Sequence, residues 1–197
     1  MQPAEKKNCG PSWNDLLYLH GFHHRATFIK MMALAWGVEV KAFAEVGVYR
    51  GVNAQILQAL FQEALMYLID PWQIYSDYLS VEAMPMTRQN EEMEKAYAEV
   101  VGKFALNPKV EIIRKTSLEA SKRFSKELDL VFIDGNHEYA YVKEDIQIWS
   151  SKVRAGGILA GHDYDPQLFP DVVRAVNEAF PKDLVVGDDA TWLVLNK

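Results

Sequence analysis

From Phe43 to about residue 180, short apolar runs alternate with stretches of helical spacing, and run after run ends on a polar or charged residue. The runs Phe43–Val48, Met66–Ile69, Val110–Ile113, Leu130–Ile133 and Ile158–Ala160 have the length of buried strands. Between them, Ala54, Leu57, Leu60, Phe61 and Ala64 mark one helix, and Asn90–Phe104 marks a second through Met93, Tyr97, Val100, Val101 and Phe104. Leu118, Ser121 and Phe124 fit a short helix with Ser117 as its N-cap. Val142, Ile146, Trp149 and Val153 form a stripe stopped by Gly156-Gly157, and Asp171–Phe180 forms a last helix closed by Pro181. Upstream, Arg25–Trp36 has helical spacing and ends at Gly37, while the first twelve residues read as a loose tail. Strand–helix alternation predicts an α/β fold: a doubly wound, mostly parallel sheet with helices on both faces. Leu184–Val186 and Trp192–Leu195, joined by Asp188-Asp189, add an antiparallel hairpin at one edge and make seven strands.

Such sheets bind ligands at the carboxyl ends of their strands. Those ends carry Glu45, Asp70, Ser117, Asp134 and the pair His162-Asp163. Any one polar strand end is unremarked in proteins; the set points to a site.

Composition narrows the function classes. The chain has 197 residues, 49% of them hydrophobic, which is enough for a full core and argues against disorder. A net charge of -6 argues against a general nucleic-acid or anionic-membrane binder. One cysteine, Cys9, can form neither an internal disulfide nor a cysteine zinc site, which fits the reducing cytoplasm. No stretch approaches the ~20 apolar residues of a membrane span, and Met1–Pro11 lacks the apolar core of a secretory signal. The expectation is one domain without a membrane or nucleic-acid partner, with a homodimer as the default assembly.

Four motifs carry chemistry. Glu45-Val46-Gly47-Val48-Tyr49-Arg50-Gly51 is a glycine turn that lets a ligand approach the backbone. Glu45 stands where a dinucleotide fingerprint has its first glycine, so the turn suits a cationic ligand better than a pyrophosphate. Asp70, 25 residues after Glu45, is placed to accept from ribose hydroxyls, or else only opens a loop. Trp72 is either a stacking surface for adenine or core. Asp134-Gly135-Asn136-His137-Glu138-Tyr139 and Gly161-His162-Asp163-Tyr164 follow neighbouring strands. They bring Asp134, His162 and Asp163 to one mouth, where they could hold Mg²⁺, Mn²⁺, Fe²⁺ or Zn²⁺. A bound cation would lower the pKa of an acceptor hydroxyl, and His137, with an ordinary pKa near ~6.5, is the candidate general base. The alternative is a turn-capping Asp134 and a structural His162. Ser117 could touch adenine or simply cap its helix. His20, His23 and His24 read as a solvated face or a lid over the substrate.

Taken together, Glu45-x-Gly47-x-x-x-Gly51, Ile69-Asp70-Pro71-Trp72, Asp134-Gly135-x-His137-x-Tyr139 and Gly156-Gly157 leading to His162-Asp163-Tyr164 resemble the class I S-adenosylmethionine-dependent methyltransferases. The nearest likeness is to a small bacterial group similar to sugar- and antibiotic-tailoring O-methyltransferases and cephalosporin-hydroxylase-like proteins. The resemblance spans residues 43 to about 180 and implies a Rossmann-like fold. It implies that Glu45 and Gly47 line the methionine part of S-adenosylmethionine, that Asp70 holds its ribose diol and that Ser117 lies near the adenine, with Tyr49, Gly51 and Trp72 counted among the cofactor-binding residues. Asp134 would border the cofactor and, with His162 and Asp163, stand where metal-dependent members carry Mg²⁺ or another divalent cation. His162 replaces an acidic residue of catechol-type enzymes. The implied catalytic set is Asp134, His137 and His162, acting on a sugar or secondary-metabolite hydroxyl. In this fold, residues 1–40 would cover the acceptor site and 41–197 would form the cofactor-binding core. Two other readings stand beside this one: a non-catalytic cofactor-binding scaffold, and a nicotinamide-dependent oxidoreductase.

Overall fold

The computed structural model describes residues 13–73 and 86–197, with side chains over 24–73 and 90–197. Thirteen elements follow in chain order: α1 (Trp13–Ala35), β1 (Ala42–Val46), α2 (Val52–Leu60), β2 (Leu65–Ile69), α3 (Met86–Phe104), β3 (Val110–Ile113), α4 (Ser117–Ser121), β4 (Leu128–Ile133), α5 (Tyr139–Ser150), β5 (Val153–Gly161), α6 (Pro170–Ala179), β6 (Val185–Val186) and β7 (Trp192–Leu195). The seven strands form one sheet in the order β3-β2-β1-β4-β5-β7-β6. β1 to β5 are parallel; β7 runs antiparallel to both β5 and β6. The expected α/β Rossmann-like architecture is therefore present, with its antiparallel hairpin at one edge.

The sheet is buried on both faces because its strands are apolar at odd and even positions alike. Phe43, Leu130, Phe132, Ile158 and Leu193 point to one side, where Ala26, Ile29 and Ala33 of α1, Leu57 of α2 and Val100 of α3 cover them. Ala44, Val131, Ile133, Leu159 and Val194 point to the other, under Val142, Ile146 and Trp149 of α5 and Val172 and Val176 of α6. Among the described residues no helix is long and apolar enough to cross a membrane.

Three local expectations are corrected. Ser117 is not the N-cap of α4: Thr116 accepts the Glu119 N–H on its side chain and Glu119 reaches back to the Thr116 N–H, a reciprocal capping box. Ser117 is instead the first helical residue. Helix α5 ends at Ser150 and does not run on to Val153. Val153 continues the four-residue spacing of the stripe by coincidence, and it opens β5. Gly156-Gly157 consequently lie inside β5 and stop no helix. They serve an irregularity of that strand, where the register to β4 slips between Leu128↔Val153 and Leu130↔Ile158. Gly156 sits at φ 73, and a Cβ on Gly157 would lie 2.9 Å from the Asp129 carbonyl oxygen. The expected tail at 1–12 and the side chains of His20 and His23 lie outside the described residues; His24 is exposed.

Buried Asp129 ties the amino ends of the central strands together. Its Oδ2 accepts from the Lys41 and Ala42 N–H groups at 2.8 and 2.9 Å, and its Oδ1 from Arg154 Nε at 2.5 Å. Asp129→Ala would strip all three donors of their partner at once. It should lower unfolding free energy in urea by about 2–3 kcal/mol.

Candidate functional site

β1 is flanked by β2 on one side and β4 on the other, so the strand order reverses between β1 and β4. That is the switch point at which open α/β sheets leave a crevice. β1 stops at Val46 because Gly47 turns to φ 88, a conformation that costs an L-residue energy. Gly47 also has no room for a side chain: a Cβ there would lie 2.1 Å from the Asp134 carbonyl oxygen. Its N–H donates to Ile69 O at 2.9 Å, and the Asp134 N–H donates to Val46 O at 2.7 Å. The ends of β2, β1 and β4 are thereby drawn together.

Asp70 closes the turn from the other side. Its Oδ2 accepts from the N–H groups of Val48 and Tyr49, both at 2.9 Å, and its Oδ1 from the Trp72 N–H at 2.6 Å. Burial raises the pKa of this carboxyl, and the three backbone donors oppose the rise. Tyr49, at φ 49, is exposed on the rim. Gly51, at φ 68, lets α2 start against α3, where its Cβ would lie 3.0 Å from Val100 Cγ2.

A cavity of ≈ 310 Å³ opens above this turn. Of the residues expected at the site, Glu45, Gly47, Tyr49, Asp134, His137, His162 and Asp163 line it, and Gly51, Asp70, Trp72 and Ser117 do not. Trp72 is a core residue: it is 1% exposed, its indole N–H donates to Tyr49 O at 2.7 Å, and its ring packs on Tyr97 at 5.0 Å. It supports the turn from beneath and offers no open ring face to the cavity. Ser117 is engaged by α5, donating its hydroxyl to Asp145 and accepting from Trp149 Nε1 at 2.7 Å. Burial pushes that Asp145 carboxyl up to about 6. A second cavity of ≈ 620 Å³ lies by the segment leading into β1, between the carboxyl ends of α1 and α2, and shares no lining residue with the first.

Two sets of side chains line the first cavity. On the α2 side, Glu45 is 1% exposed, and its Oε1 accepts from Asn53 Nδ2 at 3.3 Å. Its Oε2 and the Asn53 Oδ1 are buried acceptors with no partner among the described residues. Burial pushes the Glu45 carboxyl up to about 8; the Asn53 contact opposes the shift and the charge of Asp134 adds to it. On the β4–β5 side, Asp134, His162 and Asp163 can each bring one donor atom within 4.8 Å of the others. His162 Nδ1 lies 2.9 Å from Asp163 Oδ1, and His137 Nε2 lies 2.6 Å from Asp163 Oδ2. Burial works against a charged Asp163, but the two imidazoles outweigh it and hold the carboxyl well below the usual range. For His137, burial lowers the pKa and the pairing with Asp163 more than restores it, leaving a net rise. The His137 ring also packs on Phe169, with centroids 4.5 Å apart. Burial raises Asp134, while Arg25 and His162 oppose the rise.

Arg25, Asn53, Arg50 and Phe169 are cavity residues that sequence reasoning missed. Asn53 had a signal: it is a polar residue on the same face of α2 as buried Ala54 and Leu57. Arg25 had none, since it stands 109 residues from the Asp134 it pairs with.

The sequence profile of the methyltransferase-domain family matches residues 44–164, more than half of the chain. This chain belongs to the methyltransferase-domain family. Its fold is that of the class I S-adenosylmethionine-dependent enzymes. Among solved structures it is similar to a caffeoyl-CoA O-methyltransferase-like protein from Staphylococcus aureus, with a TM-score of 0.61 and 15% identity over 87% of this chain and 82% of that one. A methyltransferase of Podospora anserina, solved with bound SAH, gives 0.60 and 16% over 98% and 92%. The O-methyltransferase NovP gives 0.59 and 15% over 91% and 79%. No curated protein matches the sequence. The family profile begins at residue 44, so α1 and its Arg25 lie outside it.

The buried Glu45 makes stability depend on pH in a defined direction. Its folded pKa, about 8, lies above the ordinary value of 4.5. The protonated form thus stabilises the fold fully below pH ~4.5, and that contribution is lost as pH rises through about 8. Glu45→Gln, neutral throughout, should match the parent near pH 4.5. By pH 9 it should exceed the parent by a few kcal/mol, read by urea denaturation of both proteins at each pH.

Proposed function

We propose that this methyltransferase-family protein transfers the methyl group of S-adenosylmethionine to a hydroxyl oxygen of a small molecule, a sugar or secondary metabolite. The observation that carries the reading is the pair of buried acceptors, Glu45 Oε2 and Asn53 Oδ1, that have no partner among the described residues and belong to side chains lining the same cavity as Asp134, His137 and His162. Buried acceptors without donors are uncommon, and a cationic donor is what would satisfy them. The ammonium group of the methionine moiety fits both in hydrogen-bonding sense, and its charge would favour the ionised form of Glu45 that burial alone disfavours. Asp70 would meet the ribose while it keeps the turn closed, since each carboxylate oxygen can accept more than one hydrogen bond. The names of the S. aureus and NovP relatives favour oxygen as the acceptor atom.

The cofactor, when bound, supplies an electrophilic sulfonium methyl group. The protein's own task is to align the acceptor oxygen with it and to take up the hydroxyl proton. His137, held by Asp163 and stacked on Phe169, is placed to take that proton at its imidazole. Asp134, His162 and Asp163 are a donor set that a divalent cation such as Mg²⁺ or Mn²⁺ would accept, and such an ion would lower the pKa of the acceptor hydroxyl.

Thermal denaturation with S-adenosylhomocysteine, S-adenosylmethionine and NAD tests this reading. At a hundred times its Kd a ligand stabilises by roughly 2.7 kcal/mol, which raises Tm by about 5–11 °C for a chain of this size. The two adenosyl ligands should give that shift and NAD none. A shift with NAD alone would move the protein to the oxidoreductases, and no shift with any of them would contradict cofactor binding. Asp70→Ala should raise the S-adenosylhomocysteine Kd by roughly tenfold to a hundredfold in calorimetric titration, because it loosens the turn and removes a ribose acceptor together.

A further inference from the structure

Helix α1 enters the site from outside the family region. Its buried stripe of Ala26, Ile29 and Ala33, each no more than 2% exposed, seats it on the sheet and α2. Arg25, next to that stripe, reaches into the cavity and places Nη1 2.6 Å from Asp134 Oδ2. Both side chains are largely buried, at 12% and 18% exposed. Each carboxylate of the candidate cation cluster therefore already has a basic partner within the chain: Asp134 has Arg25, and Asp163 has His137 and His162. A guanidinium keeps its charge at every pH a protein survives, and its planar fork suits a carboxylate.

We propose that Arg25 is the resident cation of this site: its guanidinium occupies the Asp134 carboxylate, and a divalent ion reaches Asp134 only by displacing it. The proposal rests on the methyltransferase reading of the cavity for its purpose, though not for its geometry. A divalent ion coordinating Asp134 would come within a few ångströms of the guanidinium, and two cations on one largely buried carboxylate repel strongly. The pair is thus a selectivity device. It orients Asp134 with a cation beside it and no added ion, and it leaves removal of the acceptor proton to the His137–Asp163 pair. Arg25 is a positioning residue in this scheme, acting through Asp134.

The competition is measured by titrating Mn²⁺ into the full chain and counting free ion by electron paramagnetic resonance. Arg25→Gln should bind Mn²⁺ at least tenfold more tightly than the parent. Arg25→Lys keeps a charge beside Asp134 and should stay within threefold of the parent. A merely structural arginine would leave both variants with equal or weaker Mn²⁺ binding. A gain of less than tenfold in Arg25→Gln, or no Mn²⁺ binding by it, overturns the proposal, provided circular dichroism shows the variant folded. If Arg25→Gln does not fold, Arg25→Met is titrated in its place with the same tenfold criterion. S-adenosylhomocysteine binding by the parent is measured in parallel. Its absence would sink the methyltransferase reading, while the Mn²⁺ comparison would still decide whether Arg25 and the cation compete.

Discussion

The close approach of two backbones at Gly47 and Asp134 is the constraint on which the site depends. With no side chain at residue 47, the end of β1 lies directly against the loop leaving β4, where any Cβ would stand 2.1 Å from a carbonyl oxygen. That contact brings Glu45 and Asp134, 89 positions apart in sequence, to the lining of one cavity. It also explains the short hydrogen-bond bracket across the carboxyl ends of β2, β1 and β4. Asp70 reinforces the same turn from outside the cavity, through three backbone N–H groups.

Around that floor the protein confines four carboxyl groups, and it manages the charge of each differently. Glu45 is handled by burial, which favours its protonated form. Asp70 is met by backbone donors, Asp163 by two imidazoles and Asp134 by a guanidinium. Burying unpaired charge is costly, so a cluster of this kind is seldom assembled for stability alone. The two walls differ in character as a result. The Glu45–Asn53 wall has unfilled acceptors and awaits a donor, whereas the Asp134–Asp163 wall is internally paired and must exchange a partner to take on a cation.

Much of this was legible along the chain because the information is local. An apolar run with a polar terminus reads as a buried strand aimed at a ligand edge; of those termini Glu45, Asp134, His162 and Asp163 line the cavity, and Asp70 and Ser117 do not. The errors were local too, in regions where two meanings share one pattern. Val153 extends a helical stripe numerically but begins a strand, and Gly156-Gly157 look like a helix stop but relieve a strand irregularity. Thr116 and Ser117 are both good caps, and only the reciprocal bond from Glu119 separates them. Trp72 and Ser117 could not be assigned to ligand or core from their neighbours in sequence, because Tyr97, Asp145 and Trp149, which engage them, lie 25 to 32 residues away.

By itself, then, the sequence determined the alternation of elements, the parallel sheet with its antiparallel edge, and which strand ends carry polar or charged side chains, since these follow from hydrophobic period and turn residues a few positions apart. Only the tertiary structure decided which of those groups share a cavity, which atoms are left without partners, and that Arg25 of α1 sits on Asp134. Those facts depend on packing between segments far apart in the chain, where no spacing rule relates one residue to the other.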